Sequence, residues 1–265
     1  MENIEKTPLY RVENGVAWIT MNRPETLNSF TPELIHEMNE AFDKAQSDDA
    51  VKCIVLTGEG RAFTSGGNLM ELAEMNKAGE ITFKNVTSYN LDEYYPLAPD
   101  HDQSYRYFMN QNLFNNVDID IAKTHVPDGL AEDPAAMGAA YDAEIEAAGG
   151  IDLQVLGLGP NGHIAFNEPE EELYVGTHLT GLTDSTIEAN SRFFASKADV
   201  PTQAVTMGIG TIMKAKKIVV LASGKAKHAV IEKMMDGRIT TQVPGTILKC
   251  HPDVVLICDK AAMEG

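Results

Sequence analysis

The sequence predicts an α/β fold, a mainly parallel open sheet covered by helices on both faces. Three observations predict it. Short apolar runs alternate with amphipathic stretches along the whole chain, the pattern of strands wrapped by helices. Near the start, Val16–Met21, a helical stretch from Thr31 and Cys53–Leu56 form a strand, helix, strand unit of parallel type. Later, the apolar run Leu153–Leu156 passes directly into the glycine-rich loop Gly157–Pro169, and open α/β sheets hold ligands beyond the carboxyl ends of their strands.

Taken in order, Val16–Met21 is β-rich and stops at Asn22-Arg23-Pro24. Thr31 is a natural N-cap with Pro32 at the first helical position, and Leu34, Ile35, Met38, Ala41, Phe42 and Ala45 recur at helical spacing. A helix is therefore predicted to about Ser47. Cys53–Leu56 follows as a buried strand, and the glycine-rich stretch 58–68 feeds a second helix, Leu69–Lys77, closed by Gly79. Val86–Leu91 reads as a strand, 104–115 as a long polar and helical stretch, and 135–148 as a helix. Ile151–Leu156, Ala204–Thr206, Lys217–Ala222 and Val254–Cys258 complete the strands, with helices near 211–215 and 226–236 between them. No internal repeat interrupts this order.

Composition narrows the function. Within 265 residues, 21 basic against 39 acidic side chains give a net charge of −18, which argues against nucleic acid or an anionic membrane as partner. A phosphorylated substrate would need a local basic pocket. The cysteines Cys53, Cys250 and Cys258 lack metal-like spacing and read as reduced thiols, as expected of a cytoplasmic protein. The opening residues are charged with no apolar run, and no apolar stretch approaches membrane-spanning length.

The segment Gly157-Leu-Gly-Pro-Asn-Gly-His-Ile-Ala-Phe-Asn-Glu-Pro169 is far richer than a turn requires and places His163 at the end of a strand. Together with Asn90-Leu-Asp-Glu-Tyr94, Ala189-Asn-Ser-Arg-Phe-Phe194, Met207-Gly-Ile-Gly-Thr-Ile212, Leu221-Ala-Ser-Gly224 and Pro244-Gly-Thr246, it makes residues from about 72 onward resemble the glucosamine-6-phosphate deaminases. Related sugar-phosphate lactonases share an Asn/Asp-Gly-His loop, but Phe166-Asn-Glu-Pro169 and Asn90-Leu-Asp-Glu93 favour the deaminases. From about Leu9 to Leu72 the chain instead resembles the start of a crotonase, or enoyl-CoA hydratase/isomerase, through Gly15-Val-Ala-Trp-Ile-Thr-Met-Asn-Arg-Pro24 and Gly60-Arg-Ala-Phe-Thr-Ser-Gly-Gly-Asn-Leu69. The chain is thus read as a chimera, 1–72 and 73–265 sharing one core, with a Rossmann-like fold of the deaminase/isomerase type. The acidic residues and the second oxyanion-hole glycine segment of a crotonase are missing. The first segment serves as a structural replacement for the start of a deaminase.

The deaminase resemblance implies conversion of glucosamine 6-phosphate and water to fructose 6-phosphate and ammonia, with no metal or organic cofactor. Asp92 matches the proton-moving carboxylate, His163 the ring-opening acid and base, and Glu168 its orienting partner. Asn161 stands where some relatives carry aspartate, leaving one carboxylate fewer beside the histidine. Arg192 and Lys227 match a phosphate clamp, with Lys225 as the competitor for the lysine's part. The Thr-Gly-Ser-Thr-Pro type phosphate loop of the deaminases is absent. In its place Thr64, Ser65, Gly66 and Gly67 precede a helix and are the substitute expected to cradle the anion. The resemblance further implies a homo-oligomer. The rival readings are a chain that binds sugar phosphates or a partner subunit without turnover, and a crotonase-like acyl-CoA-binding protein.

Overall fold

The computed structural model describes residues 8–13, 15–51, 53–60, 64 and 69–264. It opens with β1 (Leu9–Glu13), antiparallel to β2 (Val16–Met21) around Gly15, whose φ of 80° a side chain would resist. β1 has no apolar alternation, so its strand character comes from pairing with β2. Helix α1 (Pro32–Gln46) starts where its cap predicts, the Thr31 hydroxyl accepting the Leu34 N–H at 3.2 Å. β3 (Cys53–Gly58) then lies parallel to β2, completing the expected unit. Helix α2 (Leu69–Ala78) closes at Gly79, with φ 76° and the Glu80 N–H on the Met75 carbonyl.

The single strand expected at Val86–Leu91 is two short ones, β4 (Ser88–Tyr89) and β5 (Asp92–Tyr95). The chain changes partners between them: the Asn90 N–H bonds the His125 carbonyl, whereas the Leu91 carbonyl accepts the Met207 N–H. Asp92 therefore opens a strand and does not close one. Next come α3 (Tyr105–Asn112), β6 (Thr124–His125), α4 (Pro134–Ala147) capped by Asp133, and β7 (Leu153–Gly157). After the glycine loop follow β8 (His178–Gly181), α5 (Asp184–Asn190), β9 (Gln203–Thr206), α6 (Ile209–Ile212), β10 (Lys217–Ala222), α7 (His228–Met235), β11 (Val254–Cys258) and α8 (Lys260–Glu264).

Parallel pairing links β7, β10 and β11, and separately β4 with β6. β5, β9 and β8 form an antiparallel ladder that the sequence pattern does not announce. The main core joins Leu156, Ile218 and Val220 of the parallel strands to Tyr141 and Ile145 of α4 and to Val230, Ile231 and Met234 of α7. A second cluster, Met21, Leu34 and Met38 with Phe42 and Leu56, reaches Ile257 of β11. A third, Tyr94, Phe166, Leu182 and Ala204, underlies the antiparallel ladder. Among the described residues no helix is long and apolar enough to cross a membrane.

Candidate active site

The loop after β7 is shaped by two glycines and by the side chains it folds over. At Gly162 φ is 90°, and a Cβ would meet the Val243 side chain at 2.4 Å. At Gly159 a Cβ would lie 2.5 Å from the His163 ring, so only glycine lets the imidazole fold back over the strand end. The loop is stitched to the antiparallel ladder by the Phe166 N–H on the Thr206 hydroxyl at 3.0 Å, and by the Asn167 amide on the Met207 carbonyl at 2.9 Å. Ala165, at φ 52°, takes up the strain of the turn between them.

Glu168 is buried and holds the histidine. Its Oε2 lies 3.1 Å from His163 Nδ1 and accepts the Asn161 amide at 2.6 Å, while the Thr186 hydroxyl from α5 donates to Oε1. Burial works against its charge, but His163, Thr186 and Asn161 more than offset it and hold the carboxyl below its ordinary range. A negative Glu168 accepting at Nδ1 keeps a proton on that nitrogen and leaves Nε2 for the cleft. Asn161 also accepts the His163 N–H at 3.2 Å. Its amide is therefore an orienting bridge, a task an aspartate facing Glu168 would perform only by taking up a proton.

Asp92, at the start of β5, faces the same cleft beside an aromatic wall. Tyr94 stacks on Tyr105 at 5.2 Å between ring centroids and packs against Phe166 and Phe194. Burial, with the neighbouring Glu93 carboxylate, pushes the Asp92 carboxyl up to about 7. A carboxyl poised there can both take and give a proton near neutral pH.

Two cations line the same cleft. Arg192 is exposed, stacked on the Phe193 ring at 4.6 Å, in the turn Ser191–Phe193 that continues α5. Lys227 is partly buried at the end of the turn Lys225–Lys227, and burial lowers its pKa. Among the described residues neither forms an ion pair with a carboxylate. The turn is anchored by Asp259, whose carboxylate accepts the Gly224 N–H at 2.9 Å and the Ala262 N–H at 2.7 Å.

Asp92, Asn161, His163, Arg192 and Lys227 thus line one cleft of about 950 Å³, with Glu168 directly behind it. That volume suits a small polar metabolite with room for water. Lys225 does not line it, which separates the two lysines that the sequence left in competition. Thr64 does not line it either: its hydroxyl donates to the Asn28 carbonyl at 2.6 Å, tying the loop back to the turn before α1. Ser65, Gly66 and Gly67 lie outside the described residues. The cleft wall also includes Tyr105, Ser185, Thr186 and Asn190, which sequence reasoning missed. For Thr186 the available signal was a hydroxyl one turn into a helix capped by Thr183, close behind the loop. Among the described residues no group of three or more His, Cys, Asp or Glu side chains is placed to hold a metal ion.

Residues 25–256 match the model of the glucosamine-6-phosphate isomerases/6-phosphogluconolactonases. A glucosamine-6-phosphate deaminase of Clostridium perfringens is 55% identical over 229 residues, covering 86% of this chain and 95% of that protein. One from Thermoanaerobacter pseudethanolicus is 55% identical over 196 residues, 74% of this chain and 78% of that protein. The solved structure of a monomeric glucosamine-6-phosphate deaminase superposes with a TM-score of 0.71 at 37% identity, over 74% of this chain and 81% of that one. A 6-phosphogluconolactonase from Thermotoga maritima, 18% identical, covers 92% of this chain and all of its own, with a TM-score of 0.58, and shares the fold. Because the match starts at residue 25, it takes in the crotonase-like motif Gly60–Leu69, though not Gly15–Pro24, and does not begin after 72. With every element that borders the cleft inside the matched residues, the chain belongs to the glucosamine-6-phosphate isomerase/6-phosphogluconolactonase family.

Proposed function

We propose that the protein converts glucosamine 6-phosphate and water to fructose 6-phosphate and ammonia. The observation that carries this reading is the single cleft in which a carboxyl raised to about 7, a histidine held by a buried carboxylate and two cations, Arg192 and Lys227, converge. His163 protonates the ring oxygen as the C1 hydroxyl loses its proton, opening the pyranose. Asp92 then takes the proton from C2 and returns it to C1 through an enolamine, and water releases the amine from the resulting imine. Arg192 and Lys227 hold the phosphate, so binding far from C2 fixes the reacting carbons against Asp92.

This assignment favours deamination over lactone hydrolysis because a lactonase needs no acid–base carboxyl poised to carry a proton between neighbouring carbons. Ammonia release from glucosamine 6-phosphate, lost in Asp92→Asn while sugar-phosphate binding persists, is the expected result. Full turnover in that variant would overturn the assignment. Binding without turnover in the wild-type protein would instead favour a chain that only holds sugar phosphates, and protection by a coenzyme A thioester alone would favour the crotonase-like reading.

The segment 1–72 is proposed as a replacement piece that completes the fold of 73–265. In support, β3 pairs parallel with β2, and the cluster around Leu34 reaches Ile257 of β11. Its crotonase-like motifs describe where such a piece resembles another family. They carry no thioester chemistry here, since the acids that chemistry needs are absent. We further propose a cytoplasmic protein. A homo-oligomer remains the family-based expectation for its assembly.

A further inference from the structure

Thr206, at the end of β9, takes no part in the reaction above and is completely buried between Val205 and Met207, all three at 0% exposed. A valine there would have the same shape, would suit a strand as well, and would bring no hydroxyl to desolvate. The hydroxyl accepts the Phe166 N–H at 3.0 Å. Phe166 lies between His163 and Glu168, which are closed on each other by the 3.1 Å contact of Nδ1 and Oε2. That pair is therefore one unit, and it is fastened to β9 and the residue after it at two consecutive points: Phe166 on the Thr206 hydroxyl, and the Asn167 amide on the Met207 carbonyl at 2.9 Å. The same two residues hold Asp92. Thr206 is its partner in the β5–β9 register, and the Met207 N–H bonds the Leu91 carbonyl at 2.7 Å. Directly opposed residues of an antiparallel pair share a face of the sheet, so Thr206 stands on the face that carries Asp92. The register and both Met207 ties use main-chain groups of Thr206 and Met207, which almost any residue supplies. The tie to Phe166 needs the hydroxyl.

We propose that Thr206 is a positioning residue that sets the placement of the His163–Glu168 pair relative to Asp92, so that ring opening and C2 proton transfer act on one bound substrate. This rests on the reading of His163 and Asp92 as the acid–base groups. The two come from different elements, the loop after β7 and the start of β5, and their relative placement is fixed where both meet the end of β9. Reacting groups must be held to within about 0.5 Å of their productive geometry, and a displacement of about 1 Å costs about a hundredfold in rate. The grip on the phosphate is independent of this tie, because Arg192 and Lys227 sit on the turns after α5 and before α7.

The test is steady-state turnover of glucosamine 6-phosphate by full-length Thr206→Val and Thr206→Ser, each assayed well below its own melting temperature, together with crystal structures of both. Valine keeps the shape and removes the acceptor, so kcat is expected to fall about tenfold to a hundredfold with KM within about twofold of the wild type. Serine keeps the hydroxyl, and its kcat should return to within about threefold. In the valine variant the His163 ring is expected to move by about 0.5–1 Å relative to Asp92 with its bond to Glu168 intact. If Thr206→Val does not fold, Thr206→Ala, which also lacks the acceptor, is compared with Thr206→Ser in its place. A wild-type kcat without the hydroxyl, a serine variant as slow as the valine one, or an unmoved His163 would each overturn the proposal and leave Thr206 as a strand residue. A displaced His163 in the valine variant of a protein that releases no ammonia in any form would uphold the placement while refuting the deaminase reading, so the two failures are separable.

Discussion

At the scale of single residues, the site works by holding two carboxyl groups apart in proton affinity. Asp92 is raised by burial and by Glu93, whereas Glu168 is lowered by its three donors in spite of burial. The raised group also affects stability. Folded Asp92 binds its proton more tightly than the unfolded chain, so the native state loses stability as pH climbs from the ordinary 3.8 towards about 7. Asp92→Asn should therefore melt with the wild type near pH 4 and roughly ten degrees above it at pH 8, a gain on the order of 4 kcal/mol. Equal melting temperatures at pH 8 would argue against a buried, reluctant carboxylate. On the other carboxyl, Thr186→Val removes the hydroxyl donor to Oε1. Leaving that oxygen unpaired should cost about 1–3 kcal/mol of stability and lower kcat about tenfold with KM unchanged. A kcat at the wild-type value would detach Thr186 from the ring-opening step.

Elements position these residues by their ends. β5 begins at Asp92 because the chain passes there from the β6 side to β9, and α5 runs from Thr186 at its first turn to the turn bearing Arg192. One short helix thus supports Glu168 and presents Arg192, the proposed phosphate ligand. On the facing side, Asp259 ties α8 to the turn that carries Lys227. Asp259→Ala should loosen that turn, raising KM for the sugar phosphate several-fold with little change in kcat. Arg192→Ala and Lys227→Ala, which remove the charges themselves, should each raise KM about tenfold to a hundredfold. Steady-state kinetics of the three variants would order them, and a KM unaffected by Lys227→Ala would hand the clamp to another group.

Across the whole molecule, a net charge of −18 repels a phosphorylated sugar at long range. Arg192 and Lys227, which line the cleft, are the proposed local exception. In the glycine-rich stretch near the start of the chain, Thr64 bonds to Asn28 and does not line the cleft. Replacing residues 9–72 with the corresponding segment of the Clostridium perfringens relative should therefore lower KM at least about tenfold and leave kcat near its starting value. An unchanged KM would show that Arg192 and Lys227 alone suffice for the phosphate.

The sequence alone makes legible those elements whose signals are local. Thr31-Pro32 set the start of α1, Gly79 closed α2, and the apolar runs at Lys217–Ala222 and Val254–Cys258 set β10 and β11 with their full bounds. It also marked Asp92, His163, Arg192 and Lys227 as candidates, because each lies in a contiguous motif that is readable one segment at a time. Only the tertiary structure decided what depends on pairing between distant segments. It split Val86–Leu91 into β4 and β5, formed the antiparallel ladder of β5, β9 and β8, and drew Thr186 onto Glu168. It separated Lys227 from Lys225 and turned Thr64 away from the cleft. Each of these outcomes is set by hydrogen bonds and burial across tens of residues, interactions that leave no periodicity in either partner's own stretch of sequence.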